Sequence, residues 1–146
     1  MRQISAVLVA LLSALGLSAC LAGPSEGDIS AVHSAVEDLG REYSVWEVKG
    51  VLSGFTEYLS VAVKFDGSDY TADDLRELMT AVGTALPNDF AHSIHFSVYD
   101  VNAEGGSGAF VELQPLADEL GLEDAIPLLS SVSVEWSDLA PLWESP

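Results

Sequence analysis

Stretches with the helical spacing of apolar residues alternate along the chain with stretches that have the spacing of β-strands. Apolar residues recur at helical spacing in residues 28–40, which Asp28 opens and a glycine ends, and again in residues 71–87. Thr71, followed by an acid three residues later, has the spacing of a capping box at the start of the second helix. A proline and a glycine bound a third, shorter helix over residues 115–121.

Strand patterns lie between these helices and predict the fold class. The stretches with alternating apolar residues, or with clustered β-branched and aromatic residues, are 43–49, 57–65, 92–100, 109–113 and 132–136. A polar face on each strand is typical of an antiparallel sheet with helices packed on its other face. We therefore predict an α+β two-layer sandwich with a mainly antiparallel sheet, in which helix–strand–strand occurs twice and helix–strand follows.

The N-terminal residues have the form of a signal peptide. A single positive charge precedes an apolar run from residue 4 to residue 17, shorter than the about 20 residues that a membrane-spanning helix needs. The run ends in Leu-Ser-Ala-Cys at residues 17–20. This segment resembles the lipobox of bacterial lipoproteins, in which small residues directly precede a cysteine. The resemblance covers residues 1–20 and implies that Cys20 receives diacylglycerol and becomes the first residue of the mature protein.

On this resemblance the chain divides into a signal peptide (residues 1–19), a lipidated tether (residues 20–27) and a single α+β domain (residues 28–146). The implied location is the extracytoplasmic face of the cell membrane, because two acyl chains anchor a protein stably whereas one binds only marginally. Cys20 is the only cysteine of the chain, so its modification leaves no thiol for a disulfide, for redox chemistry or for a metal.

Composition and charge restrict the class of protein further. The 146 residues fit one domain, and 49% hydrophobic residues are too many for a disordered acidic chain. Five Lys and Arg face 23 Asp and Glu, so a formal net charge of -18 excludes the basic surface of a nucleic-acid-binding protein. This acidity favours solubility through self-repulsion. The alternative is that it attracts divalent ions or basic partners.

A candidate ligand-binding face lies opposite the apolar rows of the predicted sheet. Its aromatic residues are Tyr58, His95, Tyr99 and Phe110, and Ser60, Ser97 and Glu112 lie among them. Aromatic side chains with a polar group on an accessible face are typical of surfaces that recognise a protein or a small ligand. The alternatives are ordinary cross-strand pairing on a solvated face and cover by the C-terminal segment.

A weaker candidate is a calcium site. Asp100, Asn102 and Glu104, followed by Gly105, match the opening of a calcium loop, where oxygen ligands occupy alternate positions. Val111 stands at the twelfth position, where such a loop needs a bidentate glutamate, and the flanking patterns are strands. A wide hairpin turn explains the same residues. The three histidines do not have the spacing of a zinc site.

Together these features predict an extracytoplasmic lipoprotein that acts as a non-catalytic binding or accessory module. Its expected partners are the membrane, through the lipid anchor, and a protein or small ligand at the sheet face; no nucleic acid and no cofactor beyond the diacylglycerol are expected. No catalytic motif is present in the sequence with its required context. The alternatives are a hydrolase or calcium-dependent protein that uses surface carboxylates, and a purely structural component of the cell envelope.

Overall fold

In the computed structural model, which describes residues 23–103 and 107–144, helices cover one face of a six-stranded sheet. The predicted signal peptide, Cys20 and Glu104 lie outside the described residues. The strands are β1 (Tyr43–Ser53), β2 (Thr56–Phe65), β3 (Ser93–Asp100), β4 (Ala109–Phe110), β5 (Ile126–Leu128) and β6 (Ser131–Glu135). The helices are α1 (Glu26–Glu37), α2 (Ala72–Ala85), α3 (Gln114–Glu119), α4 (Trp136–Leu139) and α5 (Pro141–Glu144).

The sheet is mixed but mostly antiparallel. Its strands lie in the order β1-β2-β3-β6-β5, and β4 pairs with β3. Among these described strands, β2 and β3 form the one parallel pair, and α2 lies in the connection between them. β6 pairs with residues 93–97 and β4 with Tyr99 and Asp100, so both follow the same edge of β3. The predicted α+β class is confirmed. The mainly antiparallel sheet is confirmed as well. Alternation did not show which pair is parallel, because it reports the face of a residue and not the direction of the next strand.

The apolar positions of the strands and helices meet in one core. The buried strand residues are Leu59, Val61, Val63 and Phe65 of β2, Ile94, Phe96 and Val98 of β3, and Val132 and Val134 of β6. The two long helices contribute Val32 and Val36 of α1 and Leu75, Leu78, Met79 and Val82 of α2. The alternation read from β2 and β3 is therefore confirmed, with every second side chain buried against the helices.

Both long helices begin at a capping box. In α2, Thr71 Oγ1 accepts a hydrogen bond from the N–H of Asp74, and Asp74 Oδ2 accepts one from the N–H of Thr71 at 2.8 Å, as predicted. α1 begins at Glu26 instead of Asp28, because Ser25 is its N-cap and accepts a hydrogen bond from the N–H of Asp28 at 3.1 Å. The end of the predicted tether is thus the first turn of α1.

Several strand boundaries differ from the prediction. β1 continues through Gly50 to Ser53, and the turn to β2 consists of Gly54 and Phe55 alone. Gly54 has a φ of 64°, which suits the first central position of a tight two-residue hairpin turn. β4 ends at Phe110 and is shorter than the predicted strand, and β5, with three residues, is too short to show an alternation.

The C-terminal segment packs on α2 and does not extend the sheet. Trp136, predicted to end the last strand, begins α4 and donates a hydrogen bond from Nε1 to the carbonyl oxygen of Gly83 at 2.9 Å. Trp143 of α5 packs on the same glycine, because a Cβ added at Gly83 would lie 2.5 Å from its ring. The C-terminal segment, as far as residue 144, therefore does not cover the other face of the sheet.

Candidate functional site

The sheet surface away from the helices, which we name the open face, has small side chains at its centre and larger ones around them. Its strand residues include Trp46, Glu47, Lys49 and Val51 of β1, Tyr58, Ser60, Ala62 and Lys64 of β2, Ser93, His95, Ser97 and Tyr99 of β3, Phe110 of β4, Ile126 and Leu128 of β5, and Ser131, Ser133 and Glu135 of β6. These positions alternate with the core positions, so the same strands that build the core also build this surface.

Trp46, Tyr99 and Phe110 form an aromatic cluster on the open face. The rings of Trp46 and Phe110 are nearly parallel, with centroids 5.8 Å apart. The Tyr99 ring is edge-on to both, with its centroid 5.5 Å from that of Trp46 and 5.4 Å from that of Phe110. Lys64 Nζ lies 5.3 Å from the centroid of the Trp46 ring, within the range of a cation–π contact. Trp46 and Phe110 are 50% and 45% exposed, so the aromatic cluster presents apolar ring surface to solvent.

A β-bulge in β1 brings Trp46 into this cluster. Val45 pairs with Val63 and Glu47 pairs with Ala62, so Trp46 has no partner residue in β2. An extra residue of this kind interrupts the alternation of the strand and re-aims a side chain. Trp46 and Glu47 therefore both lie on the open face, while the valines on either side of them pack against the core.

The loop before β4 is held against Tyr99. The Tyr99 hydroxyl donates a hydrogen bond to the carbonyl oxygen of Ser107 at 2.9 Å. Gly108 has a φ of 68°, and a Cβ there would lie 2.5 Å from the same hydroxyl. Both the backbone conformation and the close approach require glycine at this position. The pairing of β4 with β3 then places Phe110 opposite Tyr99.

Tyr58 and His95 form a second aromatic pair on the open face. Their rings stack with centroids 3.6 Å apart and planes 15° from parallel. Burial lowers the pKa of His95 below its ordinary 6.5, so the imidazole is neutral near neutral pH. His95 lies beside Ser60 and Ser133 in the sheet register, yet within the described chain it forms a ring stack and no hydrogen bond to either serine. The geometry thus lacks the nucleophile–base contact of a serine hydrolase.

A shallow groove of about 320 Å³ lies between these features. It is lined by Trp46, Glu47, Ser60, Ala62, Ser97 and Phe110. The aromatic rings form its walls, and the small side chains of β2 and β3 form its floor. A groove with aromatic rings, two hydroxyl groups and the Glu47 carboxylate suits a ligand that has both apolar surface and hydrogen-bond donors.

The charges on the open face cancel. Its charged strand residues are two acids, Glu47 and Glu135, and two bases, Lys49 and Lys64. Lys49 Nζ forms an ion pair with Glu47 Oε1 at 2.7 Å. Since the whole chain has a net charge of -18, its excess of acid lies outside the strand positions of this face. A partner that approaches the open face meets rings, methyl groups, hydroxyls and charged groups whose charges balance.

The structure brings the predicted ligand-binding residues onto this face in two groups: Tyr58 with His95, and Tyr99 with Phe110. Trp46, the ring that joins the second group to β1, was not among the predicted residues. A signal for it exists in the sequence, since Val45 and Val48 are three residues apart. Two apolar residues at that spacing share one face of a strand only if the strand contains an extra residue.

The candidate calcium loop is closed by hydrogen bonds of its own. Asp100 Oδ1 accepts a hydrogen bond from the N–H of Asn102 at 2.8 Å. Asn102 Nδ2 donates to Asp66 Oδ1 at 2.7 Å and to the carbonyl oxygen of Gly67 at 3.2 Å. Within residues 23–103 and 107–144, no three His, Asp or Glu side chains surround a position for a metal ion. The described residues of the loop thus have the contacts of a connection between the ends of β2 and β3.

A separate groove of about 230 Å³ near the C-terminal helices contains carboxylates. Glu123, Asp124 and Asp138 are among its lining residues. As part of the described chain, these three side chains do not converge on a metal position. Paired carboxylate chemistry needs two acids that face one another across a substrate, and this groove has no further feature that selects such a pair.

Comparison with protein-family models, curated proteins and solved structures finds no match to this chain. Among the described residues, no helix has the length and apolarity needed to cross a membrane. The open face and the N-terminal sequence are therefore the two features of this chain that indicate a function.

Proposed function

We propose that this protein is an extracytoplasmic lipoprotein, anchored through Cys20, that binds a protein or small-ligand partner through its open face without catalysis. One observation carries the proposal. In a chain with a net charge of -18, the open face has balanced charges, exposed aromatic rings and a groove floored by small side chains. Depletion of uncompensated charge and enrichment of aromatic residues are the features that mark the centre of an interface.

The aromatic cluster is the expected centre of binding. Trp46 and Phe110 are about half exposed, so a partner that covers them removes apolar ring surface from water. Tryptophan and tyrosine are also the residues that most often dominate binding energy. Ile126 and Leu128, on the edge strand β5, extend the exposed apolar surface across the sheet.

The anchoring part of the proposal is supported by the N-terminal sequence. A short apolar run that ends in small residues and a cysteine, at residues 4–20, is the pattern of a lipidated signal peptide. Only two residues lie between the proposed lipidation site, Cys20, and Gly23, the first described residue, which packs against Glu57 of β2. The partner is therefore expected close to the extracytoplasmic surface of the same membrane.

The open face is tested by photo-crosslinking in intact cells. A benzoyl-phenylalanine replaces Phe110 in one variant and His33, an exposed ring on α1, in a matched control. We expect a discrete crosslinked species from position 110 and none from position 33. Adding Trp46→Ala to the first variant weakens the association about 30-fold or more if Trp46 is a hot spot, which lowers the crosslinked fraction.

Two results would contradict binding at this face. One is an equal yield of crosslinks from positions 33 and 110, and the other is a yield from position 110 that Trp46→Ala does not change. Anchoring is tested separately with Cys20→Ala, which we expect to release the protein from the membrane fraction. The intact mass of the purified protein then shows whether Cys20 carries the diacylglycerol.

A further inference from the structure

The turn between β1 and β2 presents apolar side chains to solvent. Phe55, at the tip of the turn, is fully exposed, and Leu52 is 66% exposed. The segment from Gly50 to Thr56 contains no charged residue, in a chain with 28 of them. Nothing in the described chain packs on Phe55, so the fold itself does not explain an aromatic ring at this position.

The first described residues of the chain pack against the same hairpin. A Cβ added at Gly23 would lie 2.7 Å from Glu57 Oε2, and a Cβ added at Gly50 would lie 3.5 Å from Pro24 Cδ. Gly23 and Pro24 also line a groove of about 210 Å³ together with Leu52. The chain therefore enters the domain beside the distal half of the hairpin.

The proposed lipid anchor and the turn consequently lie at the same end of the molecule. Cys20 precedes Gly23 by three residues, which span at most about 11 Å when extended. Phe55 follows Leu52 by three residues and lies in the turn, so their Cα atoms are at most about 11 Å apart. A bilayer that holds the acyl chains of Cys20 is thus within reach of the Phe55 ring.

We propose that the β1–β2 turn inserts Phe55 and Leu52 into the interface of the bilayer that carries the anchor. This inference rests on the proposed lipidation of Cys20. An apolar turn without charge enters the headgroup region, where Phe and Leu bury apolar area. Glu26 and Asp28, in the first turn of α1 close to the entry of the chain, oppose closer contact with anionic headgroups.

This contact orients the domain. β1 and β2 run away from their shared turn, so a domain that touches the bilayer at the turn has its sheet upright on the membrane. The aromatic cluster lies toward the opposite end of these strands, where Trp46 precedes the turn by eight residues. The open face then remains accessible to a partner and is not pressed against lipid.

The turn between β5 and β6 provides a matched control. Leu129 in that turn is as exposed as Phe55, and the segment from Ala125 to Val134 is also free of charge. β5 and β1 are the opposite edge strands of the sheet, so the two turns differ in their distance from the entry of the chain. The two turns are therefore matched in the exposure of an apolar side chain and in the absence of charge, and they differ in their position relative to the proposed anchor.

The experiment measures the depth of each turn in a bilayer. The full chain is produced in lipidating cells, the mass of the mature protein is recorded, and it is reconstituted into phosphatidylcholine–phosphatidylglycerol vesicles. Ser53→Cys and Leu129→Cys variants each carry an environment-sensitive fluorophore on their only free thiol. We expect nitroxide-labelled phosphatidylcholine to quench the probe at position 53 several-fold more than the probe at position 129. Phe55→Ser in the Ser53→Cys background should remove most of that quenching.

Each other outcome overturns the inference in a recognisable way. Equal quenching at the two positions, or none at position 53, contradicts insertion of this turn but leaves the lipid anchor intact if the mass shows diacylglycerol. Unchanged quenching in Phe55→Ser removes the role of the ring. A mass without diacylglycerol on Cys20 contradicts the anchoring part of the proposed function and this inference together, whereas the binding at the open face is tested independently by the crosslinks.

Discussion

The two faces of the sheet are built by the same strands yet differ in nearly every physical property. In β3, Phe96 is fully buried under the helices, while its neighbours His95 and Ser97 lie on the open face and are half-buried. The covered face is apolar and packed, whereas the open face combines hydroxyls, rings and balanced charges. Successive side chains of a strand point to opposite faces, so one set of residues in each strand stabilises the fold while the other set is available for recognition.

The separation has an energetic reason. Each fully buried Val, Leu, Ile or Phe contributes about 1.5–3 kcal/mol relative to an exposed position, and the covered face has a continuous row of such residues. No layer of the described residues 23–103 and 107–144 packs above the open face, so its side chains contribute less to folding and are accessible to a partner. Substitutions on the two faces should therefore have opposite consequences for stability and for binding.

The largest expected effect is on the covered face. Phe96→Ala should lower the free energy of unfolding by about 3–5 kcal/mol, because it leaves a cavity between sheet and helices. Ser97→Ala, one residue further along the same strand, should change it by about 0.5 kcal/mol or less. Urea unfolding followed by circular dichroism measures both values. Similar losses from the two variants would mean that the faces do not differ in this way.

A smaller effect is expected where the C-terminal segment packs on α2. Gly83→Ala should lower the free energy of unfolding by about 1 kcal/mol. An added methyl group close to the Trp143 ring costs about 1–3 kcal/mol through overpacking, and this exceeds the gain of about 1 kcal/mol from helix propensity. Tryptophan fluorescence during unfolding reports the change, since Trp136 and Trp143 lie 6.2 Å apart.

A double variant shows whether the ring causes that loss. In a Trp143→Ala background the clash is absent, so Gly83→Ala should stabilise the protein by about 1 kcal/mol. The sign of the effect should therefore reverse between the two backgrounds. If Gly83→Ala is destabilising in both, the glycine is required for a reason other than the packing of Trp143.

The smallest effect concerns the pH dependence of the open face. Burial lowers the pKa of His95 below 6.5 in the folded protein, so below that pH the unfolded chain binds more protons than the folded one. The contribution of His95 to stability is present above about pH 6.5 and decreases as the pH falls toward the lowered folded pKa. When the pH falls below about 6.5, the natural protein should therefore lose unfolding free energy relative to His95→Gln. A difference that stays constant with pH would contradict the partial burial of a neutral imidazole.

Much of the fold is encoded locally and could be predicted. The strands β2 and β3 show their alternation directly, and Thr71 with Asp74 marks the start of α2. Tyr58, His95 and Tyr99 also follow from alternation, because they lie on β2 and β3, whose apolar positions identify the covered face. Alternation does not place Phe110, because β4 has only two residues and both are exposed. The division of these four residues into two groups did not follow, since it depends on which strands are neighbours and in what register.

By itself, the sequence determined the α+β class, the capping box of α2, the acidity and the faces of the regular strands, because these depend on residue types at short spacing. Only the tertiary structure decided that β2 and β3 run parallel, that β4 and β6 share one edge of β3, and that a bulge turns Trp46 toward Phe110. Contacts between distant segments leave no periodic pattern of residue types in the sequence. They depend on which strand edges and side chains can be packed together with the helices in three dimensions.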